Sequence, residues 1–358
     1  MTIQGRKAGN NRGRQQARPA APAGQSSKIR RDRQRSAAAA RREAAKRRTR
    51  RRRLIIGGAV VLVIGLGTGG LIYANLPPSV SVSGAFGAKQ PTVTIPSITP
   101  PASLQSHELI SGHGSLIAKG DLAVVDLTAY TWNGSAHKKI SQLSTGQPQP
   151  LAVGSTITGL DKSLVGSRAG SRLLITIPPK DGFGSKGNSQ LSVTGKDTLV
   201  VVVDVLASYQ KTAVAHGTRE AVTGTGLPTV GSSSPGTAPA VHIPQASPPA
   251  TLQVRTLIQG TGPAVKKGKL LIAQYEGVIW GTGKVFDSSW KRTSPAGFQI
   301  GTGQVIKGWD SGLVGKRIGS RVLLVVPPAE GYGTTGSSQA GIKGTDTLVF
   351  VVDILGTY

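Results

Sequence analysis

The chain has 358 residues, enough for two or three domains, with no cysteine and a formal net charge of +27. Without cysteine, disulfides and thiolate metal sites are excluded. The five histidines, His107, His113, His137, His216 and His242, fall in no metal-ligand spacing, and no GxSxG is present, so neither a metal nor a serine nucleophile has a motif to stand on.

In chain order, the charge comes first. Residues 1–53 hold 19 of the 43 Lys and Arg and only two acids, Asp32 and Glu43. This reads as a disordered basic tail. Its "RSAAAARREAAKRRTRRRR" favours a helix on a surface. No aromatic interleaves the basic residues to stack on bases, so anionic inner-leaflet lipid is the expected partner rather than nucleic acid.

Residues 54–74, "LIIGGAVVLVIGLGTGGLIYA", carry no charge over 21 residues. That length predicts a transmembrane helix across a hydrocarbon core of ~30 Å. The preceding "RRTRRRR" predicts a cytoplasmic N-terminus, with everything after residue 74 outside the cell membrane. A cleaved signal peptide is the competing reading; the long apolar run and the extended basic lead-in favour an uncleaved anchor. "GLGTGG" matches GxGxxG but lacks the strand-turn-helix context of a nucleotide site. Gly65 and Gly69 form a GxxxG, which packs spans together in some proteins and is common in membrane helices generally.

Residues 75–90 read as a linker. Beyond them the chain repeats. "PTVTIPSITPPASLQSHELISGHGSLIAKGDL" begins at Pro91, and "PAVHIPQASPPATLQVRTLIQGTGPAVKKGKL" begins at Pro239, an offset of 148 residues. A period this long means duplicated domains, 91–208 and 239–358. Residues 209–238, rich in Gly, Ser, Thr and Pro, read as a flexible linker between them. Within each unit "RLLITIPP", "RVLLVVPP", "DTLVVVVDVL" and "DTLVFVVDIL" are β-branched runs bounded by Gly and Pro. One short helix is expected per unit, around "KGWDSGLVGK" in the second. The fold class is therefore α+β: two tandem domains, each an antiparallel sheet wrapped on one short helix, plus the N-terminal transmembrane helix.

The second unit has "QYEGVIWGTGKVFDSSW", "FQIGTGQVIKGWDSGLVGKRIGSR", "VVPPAEGYG" and "GIKGTDTLVFVVDIL" in order. In these motifs it resembles the FKBP-type peptidyl-prolyl cis-trans isomerases over nearly all of residues 239–358. The resemblance implies a slot with Trp309 as floor and Tyr275, Phe286, Phe298 and Phe350 as walls. Val305 and Ile306 would form one side, with the Ile306 N–H donating to a substrate carbonyl. Asp287 would be the polar rim, Tyr332 a hydroxyl donor, and Ile342 part of a loop above. In catalytic terms Tyr275, Phe286, Asp287, Trp309, Tyr332 and Phe350 are the expected residues; Phe298, Val305, Ile306 and Ile342 would bind substrate. The resemblance implies no cofactor. It implies proline-containing unfolded or exported polypeptides as partners, and a macrolide as a further ligand.

Taken singly, the four wall aromatics read as ordinary core residues and Asp287 as a turn cap. Gly308, Gly312, Gly315 and Gly319 read as backbone geometry. A membrane-anchored, chaperone-like holder without isomerase activity is the alternative function. One departure from the family is Ile342-Lys343, where Ile-Pro is common.

Aligned with this slot, the first unit has Leu127 for Tyr275, Leu160 for Trp309, Val201 for Phe350, Thr156 for Val305 and Phe183 for Tyr332. A loose alignment sets Lys138 and Lys139 against Phe286 and Asp287. With Val153 matched to Ile300, the first unit is two residues shorter before its helix. It is expected to keep the architecture and lack the activity.

Overall fold

The computed structural model describes residues 79–87, 90–221 and 225–358. The basic tail and the 54–74 segment lie outside the described residues. Among the described residues, no helix is long and apolar enough to cross a membrane.

The proximal domain contains β1 (Ser81–Ser83), β2 (Thr92–Thr94), β3 (Gln105–Ile110), β4 (Leu122–Asn133), β5 (Ala136–Lys139), β6 (Gln149–Ala152), helix α1 (Thr158–Leu164), β7 (Arg172–Ile177) and β8 (Thr198–Tyr209). The distal domain repeats this plan. It contains β9 (Thr218–Arg219), β10 (Thr229–Val230), β11 (Val241–His242), β12 (Gln253–Gln259), β13 (Leu270–Ile279), β14 (Val285–Ser288), β15 (Ala296–Gln299), helix α2 (Lys307–Leu313), β16 (Arg321–Val326) and β17 (Leu348–Thr357). The sheets run β3-β7-β8-β4-β5 and β14-β13-β17-β16-β12-β9, with β6 added to β4 and β15 to β13; every pairing is antiparallel.

Each helix is two turns long and lies directly on one strand. Glycine allows the approach: a Cβ at Gly308 would stand 2.7 Å from Val326, and one at Gly312 2.4 Å from Leu324. An aspartate in the first turn ties the preceding loop to the helix. Asp310 accepts from the Gly301 and Gly303 amides at 2.5 and 2.8 Å, and Asp161 from Gly154 and Thr156 at 2.8 and 3.1 Å. Gly120 N–H donates to Val153 O, and Gly268 N–H to Ile300 O, each at 2.8 Å, so Val153 and Ile300 hold the same place.

Side chains alternate across a strand, so Val201 and Val203 face α1 while Val200 and Val202 face the other way. Antiparallel sheets commonly leave that second face in water. Here it is covered. β1 and β2 form a hairpin whose Val82 and Val93 pack against Trp132, Leu174, Val200 and Val202. β10 and β11 do the same with Val230 and Val241 over Trp280, Leu323, Val349 and Val351. The pairs Ser81–Thr94 and Thr229–His242 lie at the same offset of 148 as the rest. The segments 75–90 and 209–238, expected as linkers, therefore carry the first strand of each hairpin, so the repeat starts earlier than residues 91 and 239. The physical reason is burial: scattered valines among Gly, Ser and Pro are enough to cover an apolar sheet face.

These segments also close over a buried ion pair. Arg172 and Asp204 meet at 2.6 Å, and Arg172 donates further to the Gly84 and Ala85 carbonyls at 2.6 and 2.7 Å. In the distal domain Arg321 and Asp353 meet at 2.6 Å, and Asp353 accepts from the Ala215 amide at 2.9 Å. A buried ion pair needs its remaining donors and acceptors satisfied, and the covering chain does this in both copies.

Candidate active site

The distal slot is built on β13. All ten of its residues are buried, and Leu271, Ala273 and Tyr275 face the helix side. The next residue on that face is Gly277. It pairs with Phe350 on β17 and with Asp287 on β14. The β13–β14 ladder then slips: Gly277 opposes Asp287, but Val278 opposes Val285. Phe286 is the extra residue of a β-bulge, a device that re-aims side chains beside functional sites. A Cβ at Gly277 would come within 2.5 Å of the Phe286 ring. The glycine is therefore the space into which that ring is turned.

Five aromatic rings meet there, all edge to face. Trp309 lies 4.9 Å from Phe298, 5.3 Å from Tyr275 and 5.5 Å from Phe350, and Phe286 lies 5.6 Å from Phe350. Such contacts fix ring orientation as well as burying area. They bound an open cleft of about 510 Å³. Nine of the ten residues expected from the sequence line it: Tyr275, Phe286, Asp287, Phe298, Val305, Ile306, Trp309, Tyr332 and Phe350. Ile342, expected on a loop above the slot, is 4% exposed in the same core cluster as Tyr275, Trp309 and Phe350 and is not among the lining residues.

The polar side of the cleft contains a group that sequence reasoning missed. The Tyr275 hydroxyl donates to Asp287, and Arg292 ion-pairs with the same carboxylate. Arg292 also donates to the Tyr275 hydroxyl at 2.5 Å, its guanidinium 5.3 Å from the centre of the Tyr275 ring. Burial, then the hydrogen bond to Asp287, pushes the Tyr275 phenol well above its ordinary range. Burial, then the Asp287 charge, also raises Tyr332, which stays 40% exposed at the mouth. Both phenols are thus neutral donors at physiological pH. The only sequence signal for Arg292 was its place five residues after Asp287, where the chain folds back. Gln304, Lys307 and Gly331 also line the cleft and were not expected.

The floor is dry. Trp309 is 3% exposed, and its indole N–H is buried without a partner among the described residues. Ile306 is the N-cap of α2, where a helix leaves amides without intrahelical acceptors. The arrangement offers an apolar socket, neutral hydroxyl donors and a backbone donor at its edge. Among the described residues no group of His, Cys, Asp and Glu could hold a metal ion.

The proximal domain has aliphatic side chains where the distal rings stand. Leu127, Leu160, Val201 and Ile140 are buried in one core cluster, with Ile157, Phe183, Leu143 and Leu191 packed on it. The expected pairing of Lys138 and Lys139 with Phe286 and Asp287 is corrected by the register. β4 and β5 pair Tyr130 with Lys139 and Thr131 with Lys138, without a bulge. Continuing that ladder, Ile140 donates its N–H to Ala129 O at 2.8 Å. Ile140 thus takes the place of Asp287, Ala129 that of Gly277, and Phe286 has no counterpart. A cavity of about 180 Å³ lies beside Thr131, Lys138 and Gln142.

The profile of the FKBP-type peptidyl-prolyl cis-trans isomerase family matches residues 114–206 and 262–355, just over half of the chain. An "FK506-binding protein" of Streptomyces anulatus is 40% identical over 117 residues, covering 33% of this chain and 94% of that protein. "Peptidyl-prolyl cis-trans isomerase FKBP9" of Rattus norvegicus is 28% identical over 243 residues, 65% of this chain and 35% of that protein. The structure of the three FKBP domains of wheat FKBP73 matches over 71% of this chain and 94% of that one, at 18% identity and a TM-score of 0.29. The chain belongs to the FKBP-type peptidyl-prolyl cis-trans isomerase family, and carries its domain twice.

Proposed function

We propose that the distal domain isomerises peptidyl-prolyl bonds in exported polypeptides and that the proximal domain does not. The observation that carries this is the five-ring cleft around Trp309, set against the leucine and valine side chains at the equivalent positions around Leu160. Rotation about a peptide bond faces ~18–20 kcal/mol because resonance holds it planar. Water favours the planar, more dipolar form over the twisted one. A dry aromatic slot removes that preference, provided contacts along the substrate offset desolvation. The prolyl ring would seat between Trp309, Phe298 and Phe350. The Ile306 N–H and the Tyr332 hydroxyl would hold the chain on one side while the other turns. Uncatalysed flips take tens to hundreds of seconds, slow enough to limit folding.

The same slot would take an FK506-type macrolide, the ligand class for which the Streptomyces relative is named. Residues 54–74 would anchor the protein in the cell membrane, with residues 1–53 in the cytoplasm against anionic lipid. Alkaline extraction of membranes tests the anchor: the full chain should stay with the bilayer, and its release would remove the anchor.

The isomerase test compares the full chain with Trp309→Leu, the residue of the proximal copy, on a proline-containing peptide. The variant should lose at least about tenfold in kcat/KM. Equal rates for parent and buffer would leave only the chaperone-like holding role.

A further inference from the structure

The two domains pack against each other through one patch used twice. Leu122 and Val124 of β4 meet Leu270 and Ile272 of β13, with Leu355, Tyr209 and Tyr358 completing the cluster. Leu122 pairs with Tyr209, and Leu270 exchanges both backbone hydrogen bonds with Tyr358, so these are matching positions. The Tyr209 and Tyr358 hydroxyls lie 2.6 Å apart with their rings edge to face. This is the isologous, self-complementary contact of a two-fold dimer, built within one chain.

The two halves of the patch differ at several matched positions, and at two of them the distal copy has glycine. Val124 pairs with Pro150 on β6, and Ile272 with Gly297 on β15, so Pro150 and Gly297 are counterparts. Ala207 and Gly356 are counterparts too, by their pairing with Val124 and Ile272. The proximal copy has a side chain at each position and the distal copy a glycine. A Cβ at Gly297 would stand 2.7 Å from Pro150, and one at Gly356 1.8 Å from the Tyr209 hydroxyl. Proximal side chains therefore lie against distal glycines, Tyr209 half-buried and Pro150 exposed at the edge of the contact.

One of these glycines is next to the cleft. β15 is a four-residue strand joined to its sheet through β13 alone. Gly297 shares its face with Ile272, toward the proximal domain, and the next residue, Phe298, shares its face with Leu271, toward the cleft. Phe298 is the wall 4.9 Å from Trp309. From this geometry we infer that the proximal domain is a positioning element for the distal cleft, with Pro150 bracing β15 so that Phe298 stays against Trp309. The inference rests on the reading of that cleft as the isomerase site. A binding wall held from behind keeps substrate in register, and its loosening weakens binding before it weakens turnover.

The experiment is proline-peptide kinetics on the full chain with Pro150→Gly and Pro150→Val. Pro150→Gly should raise KM about three- to tenfold with kcat within about twofold, and Pro150→Val, which keeps a branched side chain, should restore the parent KM. Gly356→Ala puts a methyl against the Tyr209 hydroxyl of the same contact without touching β6 and should raise KM in the same way. Unchanged KM in either folded variant, Pro150→Gly or Gly356→Ala, overturns the brace. An inactive parent chain would instead contradict the functional reading.

Discussion

The proximal and distal domains are one fold with two interiors. Strand pairings, helix, aspartate-tied loop and covering hairpin repeat almost residue for residue. The distal interior is hollow, walled by rings and edged with Tyr275, Asp287 and Arg292. The proximal interior carries leucine, isoleucine and valine at those positions. The core shared by both sets the fold, whereas the cleft needs rings that the fold does not. Aliphatic side chains of moderate size can fill a core in many combinations. A slot of a given shape needs large rigid rings in fixed contact.

The comparison breaks most sharply at Trp309. Converting it to the proximal Leu should cost at least about tenfold in kcat/KM while the domain stays folded. Gly277→Ala installs the proximal Ala129 and puts a methyl where the Phe286 ring sits. It should lower kcat/KM roughly tenfold with little change in melting temperature, because a misplaced wall costs binding geometry and not core volume. A smaller effect is expected from Arg292→Ala. It frees Asp287 at the mouth and should lower kcat/KM by about two- to fivefold, less at high salt, since the pair is partly exposed.

The smallest effect concerns stability. Asp126 of β4 stands where β13 has Gln274. Gln274 donates to Lys211 O at 2.9 Å, whereas the Asp126 Oδ1 is buried without a partner among the described residues. Burial, then the neighbouring Asp204, raises the Asp126 carboxyl to about 6, against partial offsets from the Leu127 backbone hydrogen bond and from Arg172. The folded state thus binds this proton more tightly than the unfolded chain, whose carboxyl titrates near 4. Proximal-domain stability should fall as pH rises from about 4 to about 6, then level off. Asp126→Asn should remove that slope and raise the melting temperature at pH 7.5 more than at pH 4.

The repeat, the strands and the ring residues were legible because each leaves a local mark: an offset of 148, β-branched runs, aromatics in family order. What was hidden depends on register or on contacts distant in sequence. The slip that frees Phe286 follows from Gly277, and a one-residue slip cannot be read from two short strands. This is why Lys138 and Lys139 were set against the wrong partners and Ile140 was overlooked. Arg292 reaches Tyr275 only because the chain after β14 folds back. The hairpins over the second sheet face were masked by Gly, Ser and Pro, although their valines keep the repeat. Leu122, Val124, Leu270 and Ile272 read as strand residues in either copy; that they meet each other shows only in the packed pair.

The most direct test is backbone-amide NMR of the soluble portion of the chain titrated with a proline-containing peptide, with cis–trans exchange of the peptide followed in the same sample. The account predicts shifts at Tyr275, Ile306, Trp309 and Tyr332, none at Leu127, Ile157 or Leu160, and accelerated exchange that Trp309→Leu abolishes. Shifts of equal size around Leu160, or exchange that survives Trp309→Leu, would contradict it.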